Sequence, residues 1–491
     1  MFVKDYQEYL PEKFNRKFIM LRNRDDVLQY VDSICKALEV IDRITYIGSE
    51  IITDESKFKN PGKAKHVKDG KNVESTEWIG LRESRLNLIK IKFSIVDDDK
   101  KDVIIEKELY VPKLINNFYF LLNGSKYFPI LQIVDKSTYN NIKGKSVILK
   151  TLLMPIIIKF DPPKDVLVDV NNNIYKNGKI FSLYLFKHKI NIMNYYTARF
   201  GLKQALKKMG LSKKIKVVNI KTELSEKIKN KYEVININCK LNMLVRKKFI
   251  KKNPQYATNM IYTLHDIFNV RTKHSNLEDV DYWKKRLGLI FTKNTNNQIQ
   301  KAEKILVSFE RIFDTNTKRF LKVDDKYKKD IFSAIRWMLE KFETLYSKNN
   351  FDVRNKRIRL YEYLLYPLLM KFSTSTYRIL NSKNVTFATL KSIFNTLGPG
   401  FIIKRLLTHE LLRYSNDSNT IDLFNSALKF TYKGPQSISS SGGLSIKYRS
   451  LHPSYLGRIS CVASSAGDPG SSGNISPLIK SNGLFFSEEN E

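Results

Sequence analysis

The sequence predicts a multidomain protein of the mixed α/β (α+β) class. Its 491 residues are enough for about three domains with sizeable apolar cores. Hydrophobic residues make up 42% of the chain and charged residues 27%, which is the balance of a folded protein rather than a disordered one. Apolar residues recur at helical spacing in some stretches and alternate with polar residues in others, so helices and strands are both expected.

The N-terminal part, residues 1–150, is predicted to be β-rich after one helix. That helix spans residues 25–38 and has an acidic start. Its apolar face would consist of Val27, Val31, Ile34 and Leu38. A half-buried strand follows, in which polar residues alternate with Ile89, Ile91, Phe93 and Ile95. The charged run at 97–102 is then a turn that leads into the partner strand.

A second hairpin is predicted at residues 118–134. Its turn would be Asn123-Gly124, a dipeptide that tolerates the two positive φ angles of a tight hairpin. A GKS match at 144–146 is not a phosphate-binding loop, because the first glycine of such a loop would have to be Tyr139.

The remainder divides into two regions of different character. From about 151 to 345, strand-like pieces alternate with lysine-rich helices, which indicates an inserted mixed domain. From about 346 the chain is predicted to be mainly helical, with one-sided apolar segments at 361–372 and 401–414.

Charge is the strongest signal in the composition. The chain has 85 Lys+Arg against 49 Asp+Glu, a formal net charge of +36. Such a field attracts polyanions, and nucleic acid is the usual one. The alternative is a solvated basic surface, because the chain is also rich in Asn, Ile, Tyr and Phe, the residues of A/T-rich codons.

Several classes of protein and site are disfavoured. No apolar run approaches the ~18–20 residues of a membrane span, and the N-terminus has no apolar signal core, so an intracellular protein without a membrane partner is expected. Cys35, Cys239 and Cys461 lie far apart with no CxxC, which favours neither a zinc site nor a disulfide framework. The acidic runs at 97–99 and 278–281 are interpreted as solvated faces, so no catalytic residue is assigned.

The C-terminal part contains the least generic local pattern. HPSYLGR at 452–458 is followed by a run rich in Gly and Ser. Composition alone favours a linker or tail there. The alternative is an active-site loop, because such backbone can approach a ligand closely.

Four stretches, in order, resemble the N-terminal half of the β subunit of multisubunit RNA polymerases. The first, residues 109–139, is similar to a β segment with the pattern P-L-M-x-x-x-G-x-F-x-I-N-G; Asn123 and Gly124 match, whereas the Glu-Arg that follows in the family is Lys126-Tyr127 here. The second, residues 352–363, resembles G-N-R-R-I-R-S-V-G-E. Its matching residues are Asn355, Arg357, Ile358 and Arg359, with Lys356 as a conservative change.

The third and fourth stretches lie near the C-terminus. Residues 413–435 align without gaps to the β region that lines the RNA path and binds rifampicin, with changed residues at Asn416, Ser426, Lys429 and Thr431. Residues 449–479 resemble V-H-P-T-H-Y-G-R-I followed by C-P-I-E-T-P-E-G-P-N-I-G-L-I. The matching positions are His452, Pro453, Gly457, Arg458, Asn474, Ile475, Leu478 and Ile479.

Two departures from the family pattern are prominent. The Arg-Glu-Arg cluster of the family's fork loop falls on Ser439, Ser440 and Ser441, and only Asp468 remains acidic in the E-T-P-E-G block. The chain also ends where a cellular β subunit would be about half finished. It therefore resembles the split β subunits of giant-bacteriophage RNA polymerases, in which β and β′ are each encoded as separate polypeptides.

The resemblance implies a domain arrangement. Residues 1–150 and 361–412 would form the two parts of the protrusion, and residues 151–345 the lobe. Residues 346–360 would be a basic connector to the fork. Residues 413–491 would form the fork and the rifampicin-site-like region, ending at the β split, and residues 460–491 are expected to become ordered against the partner fragment.

The resemblance also implies roles for individual residues. Contacts to template or RNA phosphates are expected from Lys356, Arg357 and Arg359, to nascent RNA from Arg413 and Lys429, and to the fork from Arg449 and Arg458. Asn474 would lie near the incoming nucleotide. Rifampicin resistance is expected because the drug's usual polar partners are replaced by Asn416, Ser426 and Thr431.

Alternatives remain for several of these positions. The basic cluster at 356–359 fits an exposed helix start as well as a phosphate-binding corner. Arg458 fits a buried structural arginine, and His452 fits a turn residue better than a proton carrier.

The function implied is that of a subunit of DNA-directed RNA polymerase, a nucleotidyltransferase, which would be inactive as an isolated chain. It would bind no cofactor, because the family's catalytic Mg²⁺ is held by β′. Expected partners are the C-terminal β fragment, β′ fragments, a promoter-specificity subunit, DNA and RNA, in the cytoplasm of the infected bacterial host or in the virion. The alternative is a basic, non-catalytic phage DNA-binding or structural protein.

Overall fold

The computed structural model describes residues 24–491 with gaps. Outside the described residues are 1–23, 53–57, 59–64, 69–70, 75–82, 116–118, 164–166, 169–173, 176, 221–225, 239, 269–271, 294–296, 322, 360, 383–384, 408, 415–424, 427, 435–445, 461, 464–469, 477–480, 483–484 and 487–491. The chain divides into two compact units. The first is Met1–Lys136 together with Asn349–Glu491, and the second is Ser137–Lys348. The range predicted as the lobe, 151–345, lies inside the second unit.

The strands occur throughout both units. In chain order they are β1 Ile44–Ile52, β2 Lys65–Lys68, β3 Lys71–Glu74, β4 Leu86–Val96, β5 Asp102–Pro112, β6 Leu114–Ile115, β7 Tyr119–Leu122, β8 Ser125–Pro129, β9 Leu131–Asp135, β10 Thr138–Asn141, β11 Ser146–Leu149, β12 Ile156–Asp161, β13 Leu167–Val168, β14 Ile174–Tyr175, β15 Ile180–Leu185, β16 His188–Asn191, β17 Ile215–Asn219, β18 Tyr232–Asn238, β19 Leu241–Arg246, β20 Lys356–Arg359, β21 Leu412–Tyr414, β22 Lys429–Thr431, β23 Ser472–Asn474, β24 Ser481–Asn482 and β25 Phe485–Phe486.

Helices are most frequent in the second unit and in residues 361–406 of the first unit. They are α1 Arg24–Lys36, α2 Ile192–Lys208, α3 Glu226–Lys231, α4 Lys247–Lys252, α5 Pro254–Ile267, α6 Val280–Phe291, α7 Gln298–Glu310, α8 Thr315–Phe320, α9 Ile331–Glu340, α10 Phe342–Tyr346, α11 Tyr361–Leu364, α12 Tyr366–Asn381, α13 Phe387–Lys391, α14 Phe401–Leu406 and α15 Ile446–Arg449. Single 3₁₀ turns are formed by Ala37–Val40, His274–Asn276, Asp325–Tyr327, Val353–Asn355 and Pro453–Tyr455. Within the described part of the chain, no helix has both the length and the apolar character needed to cross a membrane.

The first unit contains three larger sheets and the small β2-β3 hairpin. Strands β1, β4 and β5 form an antiparallel sheet, and β21, β8, β7 and β6 form another. The third sheet has the order β23-β22-β9-β20-β25-β24, in which only β22 and β9 are parallel. A buried apolar cluster contains residues of all three sheets, including Leu88, Phe120, Ile133, Ile358 and Phe430. Burial of these side chains therefore holds strands from both ends of the chain in one core.

The second unit combines small antiparallel sheets with helices. Its largest sheet has the order β10-β11-β12-β15-β16, and a smaller one has the order β17-β19-β18. Helix α6 lies against both α2 and α7. Helix α2 bends at Gly201, whose φ of 72° is in the left-handed region that favours glycine.

Most of the predicted elements of the first unit are confirmed, and so is the mixed α/β class. The apolar face predicted for residues 25–38 is buried along α1 and the 3₁₀ turn that follows it. In β4, the side chains of Ile89, Ile91, Phe93 and Ile95 are fully buried, and β5 is its partner strand. Asn123 and Gly124 have φ values of 51° and 72° and connect β7 to β8 as the hairpin turn.

Two parts of the predicted helical region are strands instead. The apolar segment 401–414 is helical only to Leu406, because Leu412–Tyr414 pairs with β8. Residues 356–359 form β20, which is hydrogen-bonded to β9 on one side and to β25 on the other. The exposed helix start considered for this cluster is therefore wrong. In both places pairing with a distant strand overrides the local helical pattern.

Candidate nucleic-acid interface

The six-stranded sheet gathers predicted site residues from distant parts of the chain. Arg357 and Arg359 lie on β20, Lys429 and Thr431 on β22, and Asn474 at the end of β23. Lys429 is directly opposite Asn474 in the antiparallel pair of β22 and β23. Strand β9 lies between β22 and β20 and joins the two halves of this set.

Register and burial assign the side chains to two faces of the sheet. Neighbouring side chains of a strand point to opposite faces, and cross-strand partners share a face. Ile133, Ile358 and Phe430 belong to the apolar core and define one face. The other face, called the polar face below, therefore carries the side chains of Gln132, Val134, Arg357, Arg359, Lys429, Thr431, Ser472 and Asn474.

Gln132 and Arg359 form the centre of the polar face. Arg359 is 1% exposed, and its Nε donates to Oε1 of Gln132 over 2.7 Å. The amide nitrogen of Gln132 donates in turn to the carbonyl oxygen of Lys433 over 3.1 Å. A buried glutamine thus accepts a hydrogen bond from a buried arginine and ties β20 to the chain that leaves β22.

Gly434, the residue after Lys433, packs closely against Gln132. Its φ of 119° is one that residues with a side chain rarely adopt. A Cβ at this position would lie 2.9 Å from Cδ1 of Leu411 and 3.0 Å from Nε2 of Gln132. Glycine is therefore required both by backbone conformation and by the close approach to Gln132.

Lys356 lies on the core-side face, at its edge. Its Nζ is 2.5 Å from Oδ1 of Asp135 and 5.6 Å from the centre of the Tyr432 ring. The lysine side chain is 3% exposed and that of Asp135 is 34% exposed. Asp135 is the one carboxylate of β9, β20, β22 and β23, and register places it opposite Lys356 rather than on the polar face. The polar face of these four strands therefore carries three cations, with amide and hydroxyl groups and the apolar side chain of Val134 among them.

The HPSYLGR segment, residues 452–458, contacts the chain next to β22 and leads into a bridge with the chain next to β23. His452 caps the 3₁₀ turn by accepting a hydrogen bond from the backbone nitrogen of Ser454, as expected for a turn residue. Tyr455 is buried and donates to Tyr432, the residue after β22. Gly457 has a φ of 72°, and Ile459 beyond it bridges to Ile475.

Arg458 is half-buried in this segment. Its Nη1 donates to the carbonyl oxygen of Ser454 over 3.3 Å, and its own carbonyl accepts from the backbone nitrogen of Ser476. The residue thus takes part in holding the turn together.

The other predicted residues have different surroundings. Arg413, on β21, and Arg449, at the end of α15, are exposed and lie outside the six-stranded sheet. Ser426 is 3% exposed and Thr431 8% exposed. Asn416, the serines at 439–441 and Asp468 lie outside the described residues. The nucleic-acid roles of all these positions, and of the buried cations on β20, stay predictions.

Sequence reasoning missed three residues that build the site. Gln132 and Asp135 lie in the stretch 109–139 and Gly434 in the stretch 413–435, but none of the three is among the residues predicted to form the site. A glutamine inside an otherwise apolar strand was the available signal for Gln132. Its partners could not be found from spacing, because they are 227 and 301 positions away.

The site thus consists of cationic and amide donors on a sheet, without an acid–base pair on its polar face. Most of these side chains are buried within the chain, and Lys429 is the less buried cation among them. Residues 2–490 match a protein family described as non-virion RNA polymerase subunit, which covers nearly the whole chain. The chain therefore belongs to this family and is a subunit of an RNA polymerase. A search of curated proteins gives no match.

Proposed function

We propose that this chain is the N-terminal part of a split β subunit in a phage-encoded, multisubunit DNA-directed RNA polymerase. One observation carries the proposal: each of the four β-like stretches supplies a strand to the same sheet. Strand β9 comes from 109–139, β20 from 352–363, β22 from 413–435 and β23 from 449–479. Segments that resemble one family separately are therefore neighbours in a single structure.

In this proposal the polar face forms part of the wall that holds the RNA–DNA hybrid. Its arginine and lysine side chains supply positive potential toward phosphates, while Gln132, which is fully buried, holds Arg359 and the chain after β22 in place. Because Arg357 and Arg359 are buried in this chain, their main effect is to position the face and contribute to its field. Direct phosphate contacts are assigned to the less buried Lys429 and to the exposed Arg413 and Arg449.

The wider assignment follows the resemblance to β. The first unit would provide the protrusion and the fork with its rifampicin-site-like region, and the second unit the lobe, as one jaw on DNA. Partners would be the C-terminal β fragment, the β′ fragments and a promoter-specificity subunit. The catalytic Mg²⁺ would be held by β′, and the enzyme would work in the cytoplasm of the infected host. The family description, non-virion, favours this location over the virion.

A basic, non-catalytic phage DNA-binding or structural protein is the competing function. It accounts for the net charge of +36 but not for the family match or for the convergence of the four stretches on one sheet. The two functions differ in what the chain assembles with.

Reconstitution tests the proposal. The chain is co-expressed with the other candidate polymerase subunits of the same genome, and promoter-dependent runoff transcription is measured with and without it. We expect the chain to co-purify with those subunits and transcription to be lost when it is omitted. Full transcription without the chain, or failure to co-purify, would support the competing function.

A further inference from the structure

The helical hairpin of α6 and α7 in the second unit carries an exposed apolar patch. Leu289 is 59% exposed, Ile290 42% and Ile299 38%. The helices meet closely beside these residues, since a Cβ on Gly288 would lie 2.4 Å from the carbonyl oxygen of Gln298. The patch therefore sits at a tight helix crossing, which fixes its shape.

The same hairpin carries lysines that follow Ile299 in α7. The pKa of Lys301 is lowered by burial and by the charges of Lys304 and Lys187. Lys187 is next to His188 in the chain, and the His188 ring is 5.0 Å from the ring of Phe291 at the end of α6. Among the residues that the structure describes, Lys187, Lys301 and Lys304 form no ion pair. Lys301 and Lys304 follow Ile299 in α7, so these like charges lie on the same hairpin as the exposed Leu and Ile side chains.

We propose that this surface docks an acidic, amphipathic polypeptide segment of another polymerase subunit, an inference that rests on the proposed function. Carboxylates at the rim of such a segment would relieve the repulsion among the lysines, and its apolar side chains would cover Leu289, Ile290 and Ile299. A nucleic-acid backbone would neutralise the lysines but leave the aliphatic side chains in water. The combination of charge and apolar exposure therefore favours a protein.

Site-specific photo-crosslinking tests the proposal in the assembled enzyme. A benzophenone amino acid is placed at position 289, and at position 142 as a control in the same unit, where Ile142 is 65% exposed. We expect position 289 to crosslink to one other subunit and position 142 not to do so. Crosslinks from position 289 only to nucleic acid, or to no other chain, would overturn the proposal.

Substitutions give a second test that does not depend on the crosslinker. The double variant Leu289→Gln, Ile290→Gln should keep its fold because both side chains are exposed, and it should lose the crosslinked subunit about tenfold more readily on dilution. Ile142→Gln should have no effect. If the double variant retains all subunits as the unaltered chain does, the docking site is refuted while co-purification and transcription still support the proposed function.

Discussion

Arg359 and Gln132 are hydrogen-bonded over 2.7 Å although 227 positions separate them in the chain. Both side chains are buried, and the other end of the glutamine amide donates to the carbonyl of Lys433. This single amide therefore connects β9 with β20 and with the end of β22. The geometry of the polar face depends on it as well as on the backbone ladder.

Replacement of Gln132 by Leu should destabilise the first unit. The change keeps the volume but leaves a buried arginine without this acceptor, which costs about 2–4 kcal/mol of unfolding free energy. Urea denaturation of the full chain measures the difference. Gln300→Leu, at an exposed position of α7, is the matched control and should be near neutral. Equal stability of the two variants would show that the Gln132 contact contributes little.

Replacement of Gly434 by Ala should also destabilise the chain, by about 1–3 kcal/mol. The new Cβ would be strained at a φ of 119° and would press on Leu411 and Gln132. Gly398→Ala is the control, because a Cβ there meets nothing within 4 Å. Thermal unfolding of both variants compares them directly, and an unchanged midpoint for Gly434→Ala would contradict the packing described.

Stability should decrease in mild acid through His409. Burial lowers its pKa from 6.5, Glu410 acts to raise it and Arg359 to lower it further. Its Nδ1 accepts a hydrogen bond from the backbone nitrogen of Leu411, which requires an unprotonated nitrogen. The unfolded chain takes up this proton near pH 6.5 and the folded chain only at lower pH, so the free energy of unfolding falls as the pH drops below about 6.5.

The variant His409→Asn isolates this effect, since an amide oxygen can accept the same hydrogen bond without titrating. Urea denaturation is compared at about pH 7.5 and about pH 5.5. We expect the loss of stability between these conditions to be smaller in the variant. An identical loss in both proteins would assign the acid sensitivity to other groups.

The assembled enzyme should transcribe in the presence of rifampicin. The positions that resemble the drug site carry Ser426 and Thr431, which are buried, and Oγ1 of Thr431 already accepts from the backbone nitrogen of Lys433 over 3.0 Å. Runoff transcription is measured at a drug level that stops a bacterial polymerase in parallel. Full inhibition would show that a drug site has been retained.

Local patterns predicted the elements that depend on nearby residues. Alternation of apolar and polar side chains identified β4, and the Asn123-Gly124 dipeptide identified the turn between β7 and β8. Both patterns involve only residues that are close in the chain, so a single sequence is sufficient to predict these elements. The mixed class follows from the same observations.

The site itself depends on long-range pairing that such patterns do not contain. The strand at 356–359 has a single apolar residue, Ile358, among three cations, and its partners are residues 132–135 and Phe485. Likewise, the apolar residues of 401–414 fit one continuous helix. They fit equally well the observed arrangement, in which a helix ends at Leu406 and a strand begins at Leu412. The resemblance to β identified most of the polar-face residues, but only the fold shows that they share a face.

Crosslinking from the 3′ end of nascent RNA tests the central claim most directly. A photoreactive nucleotide is incorporated at that end by the assembled enzyme in a stalled complex, and crosslinked peptides are mapped. If the polar face forms part of the hybrid-binding wall, this chain will be labelled in peptides that contain Lys429 or Asn474. Labelling confined to other subunits, in a complex that contains this chain and is active, would contradict the account.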